Sequence, residues 1–163
     1  ALPADLAERT GPVDAVTFWF GEFHSFPPPV AEAFLRRLIA CLRIGGALVL
    51  EYQPWEIFVR EDAASWSVAA HSPFRDGDHL WLQEFAWDEE AATEVHVHWI
   101  IDPGSATLAR YVQCHQAWSD DDLVALLARC GLGKPEFHEP VTGVSAEFEF
   151  PLLVAAREAR GRT

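Results

Sequence analysis

Residues 13–52, VDAVTFWFGEFHSFPPPVAEAFLRRLIACLRIGGALVLEY, carry the pattern strand, helix, double glycine, strand. The near-continuous apolar run Val13–Phe20 predicts a parallel strand that is buried on both faces. Apolar residues recur at helical spacing from Val30 to Arg43, and Gly45-Gly46 is predicted to end this helix. Residues 47–52 are predicted to form the next buried strand. This βαβ unit predicts a parallel sheet that is covered by helices.

Composition limits the classes of partner. The chain has 163 residues, half of them apolar, which is enough for one domain with a real core. Its net charge of −13 disfavours nucleic acid and anionic membrane surfaces as partners. No apolar run reaches the about 18 residues of a membrane span. Cys41, Cys114 and Cys130 never have CxxC spacing and are predicted to be reduced core thiols, which indicates a cytoplasmic protein.

The rest of the chain adds an antiparallel part and a second helix. An irregular aromatic segment, 53–67, precedes three predicted strands at 79–87, 94–101 and 108–118, which polar turns join into a meander. Ser119 is the predicted N-cap of a helix that Gly131 closes. Two further strands are predicted at 137–141 and 148–156.

In this order, several of these pieces resemble the C-terminal two-thirds of a class I S-adenosylmethionine-dependent methyltransferase. Ala4-Asp5-Leu6 followed by residues 13–16 is similar to the acidic adenine-contact loop and fourth strand of that family. Residues 34–50 are similar to its helix and fifth strand, with Ile44 where proline is commoner. Residues 111–127 resemble its late helical segment, and residues 151–157 its closing strand. The resemblance implies an α/β fold, a partial Rossmann-like methyltransferase sheet with an added antiparallel β-meander.

The family's glycine-rich loop and the acidic residue that ends its second strand have no counterpart in the sequence. We therefore expect residues 1–163 to be a single methyltransferase-like domain that is N-terminally incomplete, with 52–118 as an irregular segment plus meander insertion. The resemblance implies S-adenosylmethionine as cofactor and a small-molecule acceptor as partner. We expect methyl transfer to need residues upstream of Ala1, and the chain alone to bind cofactor poorly and be inactive. One edge of the strand 13–20 is expected to have no partner strand.

The resemblance assigns the cofactor contacts to Asp5, Leu6, Phe20 and Gly21. Asp5, in the loop with Leu6, would accept a hydrogen bond from the adenine amino group; a solvated acid is the alternative. Phe20 and Gly21 lie at the carboxyl end of the first predicted strand, and this type of sheet binds ligands at the carboxyl ends of its strands. By resemblance they would line the sulfonium side of the cofactor.

Glu22 and His24 are the ionisable groups nearest to the predicted transfer point, which makes both of them catalytic candidates. His24 is the better general base because imidazole accepts a proton near neutral pH. A loop histidine that caps the following helix or orients Glu22 is the alternative interpretation. Asp14 lies inside the predicted buried strand and is expected to make a structural hydrogen bond there.

A histidine pair offers a different chemistry. His96 and His98 alternate on one strand and so face the same side, where His115 and Glu84 could complete a metal site. The opposite face carries residues that we expect to be buried: Val95, Val97, Trp99 and Ile101. A solvated or substrate-facing polar strand face explains the histidines without an ion, and we assign no metal-binding residue from the sequence.

Two alternatives to methyl transfer remain open at this stage. The chain could be a non-catalytic methyltransferase-like module for dimerisation or interaction, which leaves a homodimer open, or a His-cluster metalloprotein. Six tryptophans could line an acceptor pocket, form a dimer face or pack in the core: Trp55, Trp66, Trp81, Trp87, Trp99 and Trp118.

Overall fold

The computed structural model describes residue 3, residues 5–140 and residues 150–159. The helices are α1 (Leu6–Thr10), α2 (Pro28–Cys41) and α3 (Asp120–Arg129). The strands are β1 (Val13–Phe18), β2 (Leu42–Glu51), β3 (Ala63–Ser72), β4 (Arg75–Asp88), β5 (Thr93–Asp102), β6 (Thr107–Gln116), β7 (Glu136–His138) and β8 (Leu152–Ala156). The chain divides into two compact units: Ala1–Ile57 with Trp118–Thr163, and Phe58–Ala117.

A four-stranded mixed sheet, in the order β1-β2-β8-β7, forms the first unit. β1 and β2 are parallel, whereas β8 runs antiparallel to both β2 and β7. The predicted βαβ unit is therefore present, and the last strand returns beside it. Residues 141 and 148–149, which the sequence placed in strands, lie outside the described residues, as does Ala4.

The double glycine does not end the helix, contrary to our prediction. α2 ends at Cys41, and Gly45-Gly46 lies inside β2. Leu42 already pairs with Val13 of β1, so strand pairing begins before the double glycine and ends the helix there. A Cβ at Gly46 would lie 3.0 Å from the carbonyl oxygen of Asp14. The glycine is therefore needed where the two strands approach, and not for helix termination.

β1 is buried on one face only, so the prediction of two buried faces is wrong. Val16 and Phe18 pack against the core, whereas Asp14 and Thr17 are exposed. Among the described strands, β1 pairs with β2 alone. Asp14 makes the expected structural hydrogen bond, which the Arg43 guanidinium of β2 donates, but the pair lies at an exposed position and not inside a buried strand.

The core of the first unit lies between its sheet and its helices. The prolines at the first positions of α2 are compatible with a helix start, because those residues need no helical N–H partner. Ser119 caps α3, as predicted: its Oγ accepts a hydrogen bond from the Asp122 amide at 3.2 Å. The largest completely buried apolar side chains come from the sheet, from α2 and α3, and from the segment after β1: Phe23, Leu35, Leu48, Leu50, Leu123, Leu126, Leu127 and Leu153.

The three cysteines carry free thiols, two of them buried and one exposed. Cys41 and Cys130 are buried, as predicted for core thiols, and burial raises the pKa of the Cys130 thiol. Cys114 is exposed on β6, so the prediction of a core thiol is wrong for this residue. No helix among the described residues is long and apolar enough to span a membrane.

The second unit is an antiparallel sheet in the order β3-β4-β5-β6. Three of these strands correspond to the predicted meander. The sequence did not predict β3, whose first half lies in the segment 53–67 that we expected to be irregular. The apolar alternation of β3 is weak, and most of the strand is exposed. Its pairing with β4, for example Trp66 opposite Leu82, supplies the order that the local sequence does not indicate.

The two faces of this sheet are reversed relative to our prediction. The histidine-bearing face of β5 is the more buried one, with Glu94 and His98 both less than a tenth exposed. The apolar face is partly open to solvent, and Trp66 on β3 is 72% exposed. We call this surface the apolar face; it consists of Trp66, Val68, Leu80, Leu82, Val97, Trp99, Ile101, Leu108 and Val112.

The β5–β6 turn contains a carboxylate that should make stability depend on pH. Asp102 accepts hydrogen bonds from the Ser105 hydroxyl at 2.7 Å and the Gly104 amide at 2.8 Å, and it pairs with Arg75. These contacts lower the pKa of the Asp102 carboxyl below its ordinary value, the Ser105 hydrogen bond contributing most. The stabilisation is therefore complete above the unfolded-state pKa of about 3.9 and is lost as the pH falls through the lower folded-state pKa.

We expect Asp102→Asn to lower the urea midpoint at pH 6, because the variant loses the charge that Arg75 and the turn donors favour. The difference from the parent should shrink as the pH falls below about 4, where the parent carboxyl is also protonated. Urea titrations of both proteins from pH 6 to pH 3 measure this. A difference that is constant over the whole range would contradict it.

Candidate functional site

The candidate site lies where β1 and β2 end side by side. Phe18, the last residue of β1, pairs with Leu50 near the end of β2. The chain then leaves β1 through Phe20, whose amide donates a hydrogen bond to the Glu51 carboxylate. The Phe20 side chain is 74% exposed and its φ is +60°, an unusual backbone conformation for a bulky residue. The turn therefore holds an aromatic ring in solvent beside the carboxyl ends of two parallel strands.

Gly21 is a second special position in this turn. Its φ is +63°, in the left-handed region, and its backbone is buried. A Cβ at this position would lie 2.8 Å from Nε2 of Gln53, the second residue after β2. The missing side chain therefore lets the β1 turn pack directly against the segment that follows β2.

His24 points into the protein and not towards solvent. It lies in a short 3₁₀ helix, Glu22–Ser25, and its side chain is completely buried. Its Nε2 accepts a hydrogen bond from the Gln53 amide at 2.9 Å. Since that bond occupies the Nε2 lone pair, His24 holds the segment after β2 in place and is not presenting this nitrogen to a substrate.

Glu22 occupies the exposed side of the same short helix. The two catalytic candidates are thus separated by burial, although only one residue lies between them. Glu22 is the one that a molecule in solvent can reach.

A pocket of about 410 Å³ lies against the end of β2. Its lining comes from the segment after β2 and from the start of α3: Tyr52, Pro54, Trp55, Glu56, Ser119, Asp120 and Asp121. Burial, reinforced by the nearby Asp120 and Glu56 carboxylates, raises the pKa of the Tyr52 phenol. The pocket therefore combines aromatic walls with negative charge, which favours a ligand that carries cationic or hydrogen-bond donor groups.

Asp5 and Leu6 lie at the start of α1. Asp5 is exposed, and its side chain makes no capping hydrogen bond to the helix. No hydrogen bond or ion pair among the described residues joins Asp5 or Leu6 to Phe20 or Gly21. Their role in cofactor binding stays a prediction.

The histidine candidates of the second unit separate into two groups. His96 and His115 converge on Glu94, a carboxylate that the sequence analysis did not include among the candidate metal ligands. Both ring nitrogens of His98 make hydrogen bonds, Nδ1 with the Trp81 indole and Nε2 with the Gln113 side chain. Glu84 accepts a hydrogen bond from Trp99 on the opposite face of the sheet.

The sequence analysis did not identify the residues that contact the turn after β1 or line the pocket beside it, namely Glu51, Gln53 and the acidic start of α3. Their positions depend on strand pairing and on the fold of the segment after β2. The signal that could have pointed to them is the chain order, because residues that directly follow neighbouring parallel strands meet at one edge of a sheet.

No protein-family model and no curated protein matches the chain. Solved structures do match its fold. The S-adenosylmethionine-bound amino pentose methyltransferase of Micromonospora echinaspora is 18% identical, with a TM-score of 0.61; the match covers 90% of this chain and 58% of that one. The CcbJ methyltransferase of Streptomyces caelestis is 14% identical, with a TM-score of 0.65 and coverage of 91% and 58%. A sugar N-methyltransferase of Streptoalloteichus is 18% identical, with a TM-score of 0.58 and the same coverage.

The chain therefore has the Rossmann-like α/β fold of S-adenosylmethionine-dependent methyltransferases, with a separate antiparallel sheet, which confirms the predicted fold class. It spans less than three-fifths of the length of these matched structures.

Proposed function

We propose that this chain is part of an enzyme that transfers a methyl group from S-adenosylmethionine to a small-molecule acceptor. The observation that carries the proposal is the turn after β1, where Phe20 and Gly21 lie at the carboxyl ends of two parallel strands. Sheets of this type bind ligands at that edge. The shared fold supports the proposal, and two of the matched proteins are described as an amino pentose and a sugar N-methyltransferase.

The turn after β1 fits the cofactor in two respects. The exposed rings of Phe20 and Trp19 offer aromatic faces to a sulfonium cation, and aromatic rings attract cations. Gly21 lets the same turn pack directly against Gln53, which holds Phe20 at this edge of the sheet. When bound, S-adenosylmethionine would supply an electrophilic methyl group. Residues upstream of Ala1 would complete the cofactor site, together with Asp5 and Leu6.

The geometry favours different roles for the two catalytic candidates. Glu22 is exposed at the turn and can accept a proton from an acceptor, if the acceptor must lose one. His24 acts as a positioning residue, because it fixes the Gln53 backbone against the Gly21 turn. The pocket beside Tyr52 and Asp120 is of the size that small-molecule sites have, and its carboxylates suit an acceptor with amino or hydroxyl groups.

Calorimetric titration of S-adenosylhomocysteine into two proteins tests the proposal. We expect a version extended upstream of Ala1 to bind and the present chain to bind at least about 100-fold more weakly, since the proposal places part of the cofactor site upstream of Ala1. Phe20→Ala in the extended version should weaken binding about 10-fold. Ile44→Ala is the matched control, since Ile44 is also an exposed apolar residue but lies at the start of β2. Equal absence of binding in both parent proteins would overturn the assignment.

A second candidate function is dimerisation without catalysis. The observation that favours it is the apolar face, which extends across all four strands of the second unit and exposes Trp66, Val68, Leu108 and Val112. Contiguous exposed apolar surface of this kind marks interaction sites, and we commit to a second copy of this chain as the occupant. Light scattering should then give twice the 18.2 kDa of one chain, and Val68→Lys should restore the monomer. A monomer at high concentration would exclude this function.

A further inference from the structure

The polar face of β5 and β6 contains a cluster that methyl transfer does not use. Glu94 and His96 occupy alternate positions on β5, and His115 lies directly opposite Glu94 on β6. This register brings three potential metal ligands to one place, and one ligand atom from each residue lies within 4.8 Å of the other two. The cluster belongs to the second unit alone.

Both imidazoles converge on a single carboxylate oxygen. Oε2 of Glu94 lies 2.8 Å from Nε2 of His96 and 3.6 Å from Nδ1 of His115. Donor atoms that bind one zinc ion at about 2.0–2.2 Å lie roughly 3–3.5 Å from each other, so these separations suit a common ion. Two imidazoles and one carboxylate also form a ligand set that zinc sites with an open coordination position use.

The geometry at His96 distinguishes this cluster from an ordinary histidine–carboxylate hydrogen bond. Its Nε2 is buried and forms no hydrogen bond of acceptable geometry with any described residue, although Oε2 of Glu94 is near. In a simple pair the N–H would point along the line to the oxygen. A nitrogen and an oxygen that lie side by side without that alignment are arranged as two ligands of one cation would be.

Neighbouring contacts hold the carboxylate and one ring in place. The Val59 amide donates a hydrogen bond to Oε1 of Glu94 at 3.0 Å, which leaves Oε2 facing the histidines. The Phe85 ring packs edge-on against His96, with 4.6 Å between ring centroids. Such outer contacts orient the ligands of metal sites. His98 is not a fourth ligand, because Trp81 and Gln113 occupy its two ring nitrogens.

We propose that Glu94, His96 and His115 bind one divalent transition-metal ion, with zinc as the best match to these ligands. Imidazole and carboxylate donors suit zinc and its neighbours in the first transition row, and they disfavour magnesium and calcium, which take oxygen ligands. Three protein ligands leave at least one coordination position for water or an oxygen atom of a small molecule. This site is independent of the proposed methyl transfer.

Titration of zinc chloride into the tag-free, chelator-treated chain tests the proposal. We expect one ion per chain with a dissociation constant at or below about 1 μM. His115→Ala should weaken binding by about 100-fold or more, and Glu94→Gln should have a similar effect while it keeps the hydrogen bond to Val59. His71→Ala is the matched control, because His71 is an exposed histidine of the same unit outside the cluster.

NMR of the imidazole nitrogens provides a readout that does not depend on affinity. Zinc should shift Nε2 of His96 and Nδ1 of His115 and leave His71 unchanged. Near-ultraviolet circular dichroism checks that each variant keeps the parent fold, and His115 is the safest of the three positions because it is only partly buried. Absence of zinc binding, or equal loss of binding in His71→Ala and His115→Ala, would overturn the proposal.

Discussion

Replacement of His24 by alanine is expected to lower the free energy of unfolding by about 3 kcal/mol. The imidazole is completely buried, so its removal leaves a cavity, and the Gln53 amide loses the acceptor that now lies 2.9 Å away. An unsatisfied buried N–H costs about 1–3 kcal/mol by itself. Urea denaturation followed by tryptophan fluorescence measures the change.

Two variants make the His24 experiment specific. Ser25→Ala changes the neighbouring exposed residue and should alter the free energy of unfolding by less than about 0.5 kcal/mol. His24→Gln offers another acceptor to the Gln53 amide and should recover roughly 1 kcal/mol of the loss. If His24→Ala kept full stability but abolished methyl transfer in the extended protein, His24 would be a general base and not a positioning residue.

Gly21→Ala is expected to lower the free energy of unfolding by about 2–3 kcal/mol and to weaken S-adenosylhomocysteine binding by the extended protein at least about 10-fold. The new methyl group would force a residue with a Cβ into the left-handed region, at φ +63°, and would displace the Gln53 side chain. Displacement of Gln53 disturbs the edge where β1 and β2 end. Denaturation and calorimetry on the same preparation measure the two effects.

Gly131→Ala is the control for backbone strain. Gly131 has a φ of +90°, but a Cβ there would meet nothing within 4 Å. This variant should lose only about 1–2 kcal/mol, which is the cost of the left-handed conformation, and ligand binding should not change. Equal losses of stability and binding in both variants would show that the contact with Gln53 has no special role.

Much of the fold follows from local sequence patterns. The apolar runs at 13–20 and 47–52 predicted two neighbouring parallel strands, and Ser119 predicted the start of α3 because its side chain caps the helix. β3 escaped prediction because its order comes from pairing with β4. The end of α2 was misplaced because strand pairing from Leu42 overrides the turn signal of Gly45-Gly46.

The candidate sites could be predicted only in part. The sequence indicated the turn at Phe20–His24, since residues after a buried parallel strand lie at the ligand-binding edge. It could not separate Glu22 from His24, because a short 3₁₀ helix buries one and exposes the other. In the second unit it indicated His96 and His115 but not Glu94, because only the pairing of β5 with β6 brings Glu94 opposite His115.

The sequence by itself determined the order of the strands and helices apart from α1 and β3, which residues share a strand face, and the turn that follows β1. Periodicity is a property of neighbouring residues, so it can be read without the fold. Tertiary structure decided which face is covered, how Gln53 meets Gly21 and His24, and how His115 comes to lie opposite Glu94. These contacts join residues that are 21 to 32 positions apart. Strand register sets the pair of His115 and Glu94, whereas the packing of the turn after β1 against the segment after β2 sets the two contacts of Gln53.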